Sequence, residues 1–320
     1  MLKKSYLNFI LFVCCHGVFA QQDKLITHFI YDKMSINPGK TGVDMYNSIC
    51  ATSIYRNQWD KVNGAPNSAV LNVEANLSKF FPGGVGLAFY HDAIGFARQN
   101  NLLLNYSYPI SIGNNGTLGI GIGIGIINYG MNPTWIPPQT LQDKALPVEN
   151  FAATNLDANF GLYYSGKDFN VGFSTTHLNE SLLTQTATFN GASVAQNYQT
   201  ARHYYLMGGK TFKKTLGGDI DAQVLLRTDL IKYSADIYAR YIYTLSGDKQ
   251  LYGGLSYRTS DMAAIMLGFT PINKLTIGYS YDLTLNKLSS ISRGSHELLV
   301  KYCMFLKDKP VPSARHPRWL

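Results

Sequence analysis

Along most of this chain apolar and polar residues alternate one by one. In residues 274–285, Leu275, Ile277, Tyr279, Tyr281, Leu283 and Leu285 share one parity, and Thr276, Gly278, Ser280, Asp282 and Thr284 the other. Leu71, Val73, Ala75 and Leu77 likewise oppose Asn72, Glu74 and Asn76, and Leu156, Ala158, Phe160 and Leu162 oppose Asp157, Asn159 and Gly161. Successive side chains of a strand point to opposite faces, so a period of two predicts strands with one apolar and one polar side. Helical periodicity is scarce, and no run approaches the ~18 consecutive apolar residues of a spanning helix.

A soluble sandwich shares that signature, but two features favour a transmembrane antiparallel β-barrel. The segments are about 9–12 residues long, with Tyr and Phe recurring near their ends as interfacial girdles require. The polar faces also carry full charges at mid-segment: Glu74, Asp157, Asp221, Arg227, Asp236, Arg240, Arg258 and Asp282. Facing lipid these would be costly; facing a wet lumen they are tolerable.

The pattern predicts about 14 strands, near 48–58, 68–77, 84–91, 99–109, 117–127, 153–164, 168–177, 202–212, 218–228, 234–244, 249–258, 262–270, 273–284 and 294–305. With the N-terminus in the periplasm, the two long connections, 128–152 and 178–201, both fall outside, and tight turns at 165–168, 245–249 and 271–274 fall inside. That is the habit of outer-membrane barrels. Phe305 ends the last strand, a position suited to barrel-assembly recognition.

Composition agrees. The 320 residues include 22 Tyr and 29 Gly, only 15% are charged, and no polar low-complexity tract is present. A mean hydropathy of -0.07 is too low for a bundle of membrane helices. Residues 1–20 read as a signal peptide: Lys3 and Lys4, an apolar core from Tyr6 to Cys15, then Val18-Phe19-Ala20. A lipoprotein reading through Cys14 or Cys15 is weaker, because bulky residues precede them. Cleavage leaves Cys50 and Cys303, far apart and no disulfide framework. Losing Lys3 and Lys4 lowers the formal charge from +8 to +6, and an exported, mildly basic protein has no call for nucleic acid. The expected organisation is a signal peptide (1–20), an N-terminal segment of mixed polarity packed in the lumen or at the periplasmic mouth (21–47), the barrel (48–305) and a basic periplasmic tail (306–320).

Candidate chemistry is thin. The GKT triplet within 34–42 lacks the first glycine of a phosphate-binding loop, where Met34 stands, and a turn at Asn37-Pro38-Gly39 is the simpler reading. In 116–130, Gly119, Gly121, Gly123 and Gly125 alternate with isoleucines, with no helix to follow as a dinucleotide site needs. Glycine inside a strand instead marks close approach of another backbone, so these four are expected to form a groove in the lumen wall. Its filling would be the N-terminal segment, an external loop or a partner. The histidines lack metal-ligand spacing, and no nucleophile, base and orienter occur together, so no enzyme, cofactor or metal is expected. Arg56, Asn57 and Trp59 crowd the outward end of the first strand. They read either as a partner-binding or lumen-constricting cluster, or as an aromatic-belt Trp beside a hydrogen-bonded Arg. Arg240 and Arg258 are further lumen candidates.

Several stretches taken in order carry a resemblance: "QQDKLITHFIYDKMSINPGKTG", "YRNQWDKVNGAP", "RHYYLMGGKTF", "GLSYRTSDMAAIMLGF", "KLTIGYSYDLT" and "GSHELLVKY". Together they resemble the PorP/SprF family of outer-membrane proteins in the type IX secretion and gliding machinery of Bacteroidetes. The family's Asn-Pro-Ala-Tyr-Ala-Gly stands here as NPGKTG, without the aromatic, and its closing Ser-Pro-Arg-Tyr-Phe as HPRWL. The resemblance implies an integral outer-membrane barrel in contact with outer-membrane lipids and with periplasmic ring and lipoprotein components. Some members serve one secreted adhesin, recognised through its C-terminal domain. It implies no enzymatic activity. The alternative, from the residues alone, is a pore for passive or hydrophobic-solute transport.

Overall fold

The computed structural model describes residues 23–45, 47–77, 80, 82–132, 150–189 and 192–306. The signal peptide expected at 1–20, the tail beyond Leu306 and most of the connection at 128–152 lie outside the described residues.

Fourteen antiparallel strands close into a barrel. The first seven are β1 (Ser48–Asn57), β2 (Asn67–Asn76), β3 (Gly84–Ile94), β4 (Ala97–Ile112), β5 (Gly116–Met131), β6 (Phe151–Ser165) and β7 (Phe169–Thr176). A two-stranded hairpin, β8 (Leu182–Phe189) and β9 (Ala192–Gln199), stands apart as its own sheet. The wall resumes with β10 (His203–Thr215), β11 (Gly218–Thr228), β12 (Tyr233–Thr244), β13 (Gln250–Arg258), β14 (Met262–Ile272), β15 (Leu275–Thr284) and β16 (Ser295–Phe305). β7 pairs directly with β10, and β16 closes on β1.

Side-chain parity follows the alternation. Ile120, Ile122, Ile124 and Ile126 are exposed on the outer wall, and Gly119, Gly121 and Gly123 are buried on the inner one. All eight mid-strand charges point inward. Their surroundings differ from the expected wet lumen: Asp157, Asp221, Arg227, Asp236, Arg258 and Asp282 are buried. The barrel interior is a packed core in which Phe29 and Ile36 of the N-terminal segment meet Tyr163, Tyr205, Met207, Leu225 and Tyr238 of the wall.

Three further differences have physical causes. β4 and β5 run to 16 residues each, beyond the 99–109 and 117–127 that alternation marks: at their outer ends ladder bonding continues where the lipid-facing apolar band stops, and the inner end of β4 adds the outward-facing Ile110 and Ile112. The connection 178–201 holds the β8–β9 hairpin, whose Tyr198 ring stacks on inward-facing Tyr129 at 3.6 Å. Cys50 and Cys303, remote in sequence, are directly opposed in the β1–β16 register and joined as a disulfide. Separation along the chain is no guide to distance in a closed barrel, whose first and last strands are neighbours. Serine at both positions leaves the seam's register from Ser48↔Phe305 to Asn57↔His296 intact. The barrel should therefore still assemble but lose about 2–4 kcal/mol, read as a lower urea midpoint of the heat-modifiable gel band.

Candidate functional site: a lumen filled by the N-terminal segment

Residues 23–45 thread the barrel. The connections place the ends of β1 and β7 at the outer mouth, and the β2–β3 and β6–β7 turns at the inner one. Asp23 accepts a hydrogen bond from Tyr205 beside the end of β7, and the backbone N–H of Gly42 donates to Glu74 near the inner end of β2. The segment thus descends from outer to inner mouth before entering β1.

It contains little regular structure: a 3-10 turn at Phe29–Tyr31, a single helical turn at Lys33–Ile36 and another 3-10 turn at Pro38–Lys40. Most of its backbone polar groups therefore lack a ladder, and buried ones must find partners elsewhere. The wall supplies them. Arg227 Nη1 donates to Lys24 O at 3.3 Å and Arg258 Nη2 to Ile26 O at 3.2 Å. Asn105 Nδ2 reaches Met34 O, Ser174 Oγ Ile36 O, Ser107 Oγ Gly39 O, and Asn76 Nδ2 Gly42 O. The inward Asn and Ser residues of the strands act as fixed docking points along the segment.

Two places hold it most firmly. At the outer end, Arg56 Nη1 donates to Thr27 Oγ1 at 2.9 Å, Asp282 Oδ2 at 2.5 Å and Glu297 Oε2 at 3.2 Å. Glu297 also accepts from the backbone N–H groups of Thr27 (2.8 Å) and His28 (2.7 Å), and lies 2.7 Å from His28 Nδ1. Arg56 is 1% exposed, so this is a buried, charge-assisted network. Toward the inner end, the turn at Asn37-Pro38-Gly39 sits against bare backbone. Asn37 caps it by accepting from Gly39 N at 2.9 Å, and its Nδ2 donates to Leu162 O at 3.0 Å. A Cβ on Gly121 would overlap the Pro38 carbonyl, and one on Gly119 the carbonyl oxygen of Gly39. A Cβ on Gly39 would come within 2.7 Å of Gly161 O. Backbone meets backbone here because both sides lack side chains.

The singled-out residues divide accordingly. Gly119 and Gly121 touch the segment, but Gly123 and Gly125 do not: a Cβ there would meet the Asn105 side chain and the Leu102 backbone of β4. The groove is therefore half the expected length, because β4 itself crowds the outer half of the glycine run. Arg258 pairs with Asp236, and Arg240 bonds Asp221 (3.0 Å) and the Tyr31 hydroxyl (2.5 Å). Arg56 is parted from Asn57 and Trp59: it enters the lumen, whereas Asn57 lies on the outward parity and Trp59 in the loop beyond, both lining one outer cleft. Thr27, His28, Gly161 and Glu297 are missing from the candidate site residues of the sequence, and Asn37 enters there only as part of a turn. The signal for the wall members was inward parity carrying Gly or a charge. Among the described residues no group of His, Cys, Asp and Glu is placed to hold a metal ion.

Residues 18–302 match the family described as "Type IX secretion system membrane protein PorP/SprF". The chain belongs to the PorP/SprF family. No protein of curated function matches its sequence. Among solved structures, this PorP/SprF barrel is similar to the "CymD monoaromatic hydrocarbon channel", at 9% identity and TM-score 0.52, covering 87% of this chain and 93% of that one. It is similar also to the Ralstonia pickettii toluene transporter TbuX, at 11% identity and TM-score 0.51, covering 86% and 93%. At such identities the likeness is one of fold: an outer-membrane barrel. With the family match it places this PorP/SprF protein in the outer membrane.

Proposed function

We propose that the chain is a non-enzymatic component of the type IX secretion machinery that assists secretion or surface anchoring of cognate proteins, such as an adhesin. It works through the surfaces at its two mouths, with the lumen held shut by residues 23–45. The observation that carries this reading is the occupied lumen. Wall arginines, asparagines and serines bond the segment's own carbonyls, so passage of solute would require breaking that network. Partners on the periplasmic side would be ring and lipoprotein components of the secretion system. On the outer side the partner would be the C-terminal domain of a secreted protein.

The rival reading, a hydrophobic-solute pore, has fold-level likeness to hydrocarbon channels in its favour. Planar-bilayer recording and crosslinked purification from outer membranes separate the two. The secretion reading expects no steady current from the isolated barrel and co-purification of periplasmic secretion components. A large steady current without partners would overturn it.

A further inference from the structure

Arg56 turns into the lumen, but the residues that follow it build something on the opposite side of the wall. Asn57 lies on the outward parity of β1, and the chain then turns through 58–66 before β2. Between this loop and the β3–β4 connection lies a cleft of about 440 Å³, within the ~300–1,000 Å³ range of small-molecule sites. Its polar lining comes from Asn57, Asp60, Lys61, Asn63, Asn67 and Arg98, with Trp59 as its aromatic element. Asn57, Asn67 and Arg98 sit on outward parities, so the cleft opens sideways toward the lipid rather than into the barrel.

The cleft is preformed. Gln58 N donates to Pro66 O at 2.9 Å, Asp60 N to Gly294 O at 2.7 Å, and Gly95 N to Gly64 O at 2.9 Å. Trp59 N also donates to Ser295 Oγ at 3.1 Å. Three separate outer connections are thereby tied around one cavity. Below it on the outer wall, Tyr55, Leu71, Phe89 and Leu102 are exposed apolar side chains on the outward parities of β1 to β4. The polar cleft therefore lies at headgroup height on the outer leaflet, above a surface made for acyl chains.

We propose that this cleft binds the headgroup of a phosphorylated glycolipid of the outer leaflet. Lys61 and Arg98 supply cations for phosphate, with Arg98 able to engage two oxygens at once. Asn57, Asn63 and Asn67 can donate to and accept from sugar hydroxyls, and Asp60 accepts from them. Trp59 offers an apolar face to a sugar ring. An ordinary phospholipid has no array of hydroxyls to use the amides, and a soluble sugar phosphate has no chains for the apolar wall.

The test is native mass spectrometry of the full barrel titrated separately with bis-phosphorylated lipid A, its deacylated phosphosugar, and phosphatidylglycerol. Retention of lipid A should exceed that of either other probe by about tenfold or more, the scale of about two buried methylenes against the deacylated sugar and of one or two hydrogen bonds against phosphatidylglycerol. Lys61→Gln with Arg98→Gln should reduce lipid A retention by about tenfold or more, the scale of one charge-assisted hydrogen bond. Asn57→Ala with Asn67→Ala, which keeps both cations, should lower lipid A retention and leave phosphatidylglycerol unchanged. Lys213→Gln at the other end of the wall serves as a control that should change nothing, and heat-modifiable mobility verifies folding of each variant. Equal retention of lipid A and phosphatidylglycerol, equal retention of the deacylated headgroup, or undiminished lipid A binding by the Lys61/Arg98 variant would each overturn the proposal.

Discussion

Replacing Gly121 by Leu should turn a silent barrel into a conducting one. Gly121 faces inward from β5, and the space a side chain would occupy there is filled by the Pro38 carbonyl. Leucine cannot turn aside from a backbone group, and overpacking a site with room to yield already costs about 1–3 kcal/mol. The turn at Asn37–Gly39 must then leave the wall, taking with it the bonds from Asn37 to Leu162 O and from Ser107 to Gly39 O. Nothing on the lipid side changes: Ile120 and Ile122 keep their outward positions and the β5–β6 register is unaltered, so the barrel still assembles. Planar-bilayer recording should show channel steps in most insertions of the variant and none in the parent. Gly123→Leu should do less, since its first obstacle is the Asn105 side chain. Gly208→Ala, with nothing nearer than 3.8 Å to the new Cβ, should do nothing. A Gly121→Leu barrel as silent as the parent would mean that the groove is not what seats the segment.

The wall of this protein is legible in its sequence because lipid enforces alternation. A strand such as 275–284 must show one apolar parity as long as it crosses acyl chains, and both its place and its facing follow from that alone. Where lipid ends, so does the signal. Gln99, Asn100 and Asn101 show no alternation, yet all three are paired in the β3–β4 ladder, and β4 extends past its apolar band at the outer end. The β8–β9 hairpin lies wholly off the wall, with no lipid to write a pattern into it. The Cys50–Cys303 bond depends on closure, a property of the whole sheet that no local window contains.

The site was less legible, for a related reason. An inward polar side chain looks the same in sequence whether water or protein satisfies it. Asp282 and Glu297 could have faced a channel; only the placement of Thr27, His28 and Arg56 shows that they are buried and bonded. The glycine run did announce close approach, and Gly119 with Gly121 meets it, although the partner, Asn37-Pro38-Gly39, is written far earlier in the chain and in no recognisable period. Adjacency misled at 56–59. Strand parity sends Arg56 into the lumen and Asn57 to the outer wall, so neighbours in sequence belong to two different surfaces.

Arg56→Met should be the most destabilising single change in the outer half of the lumen. Methionine keeps much of the arginine's length but removes the one guanidinium that Asp282 and Glu297 share. Glu297 retains the donors from Thr27 and His28, whereas Asp282 Oδ2 keeps only the Thr27 hydroxyl. Breaking a buried pair by removing one partner costs about 3–5 kcal/mol, because the remaining charge is stranded away from water. Urea titration followed by heat-modifiable mobility should show a loss of that size, while Arg56→Lys, which keeps the charge, should lose less. Adding Asp282→Asn to Arg56→Met should recover part of the loss, since an amide needs no counter-charge. If the double variant is instead no more stable than Arg56→Met, the stranded Asp282 is not the source of the cost. The contact of Arg56 with Thr27, which ties the segment itself to β1, would then be what holds the outer end together.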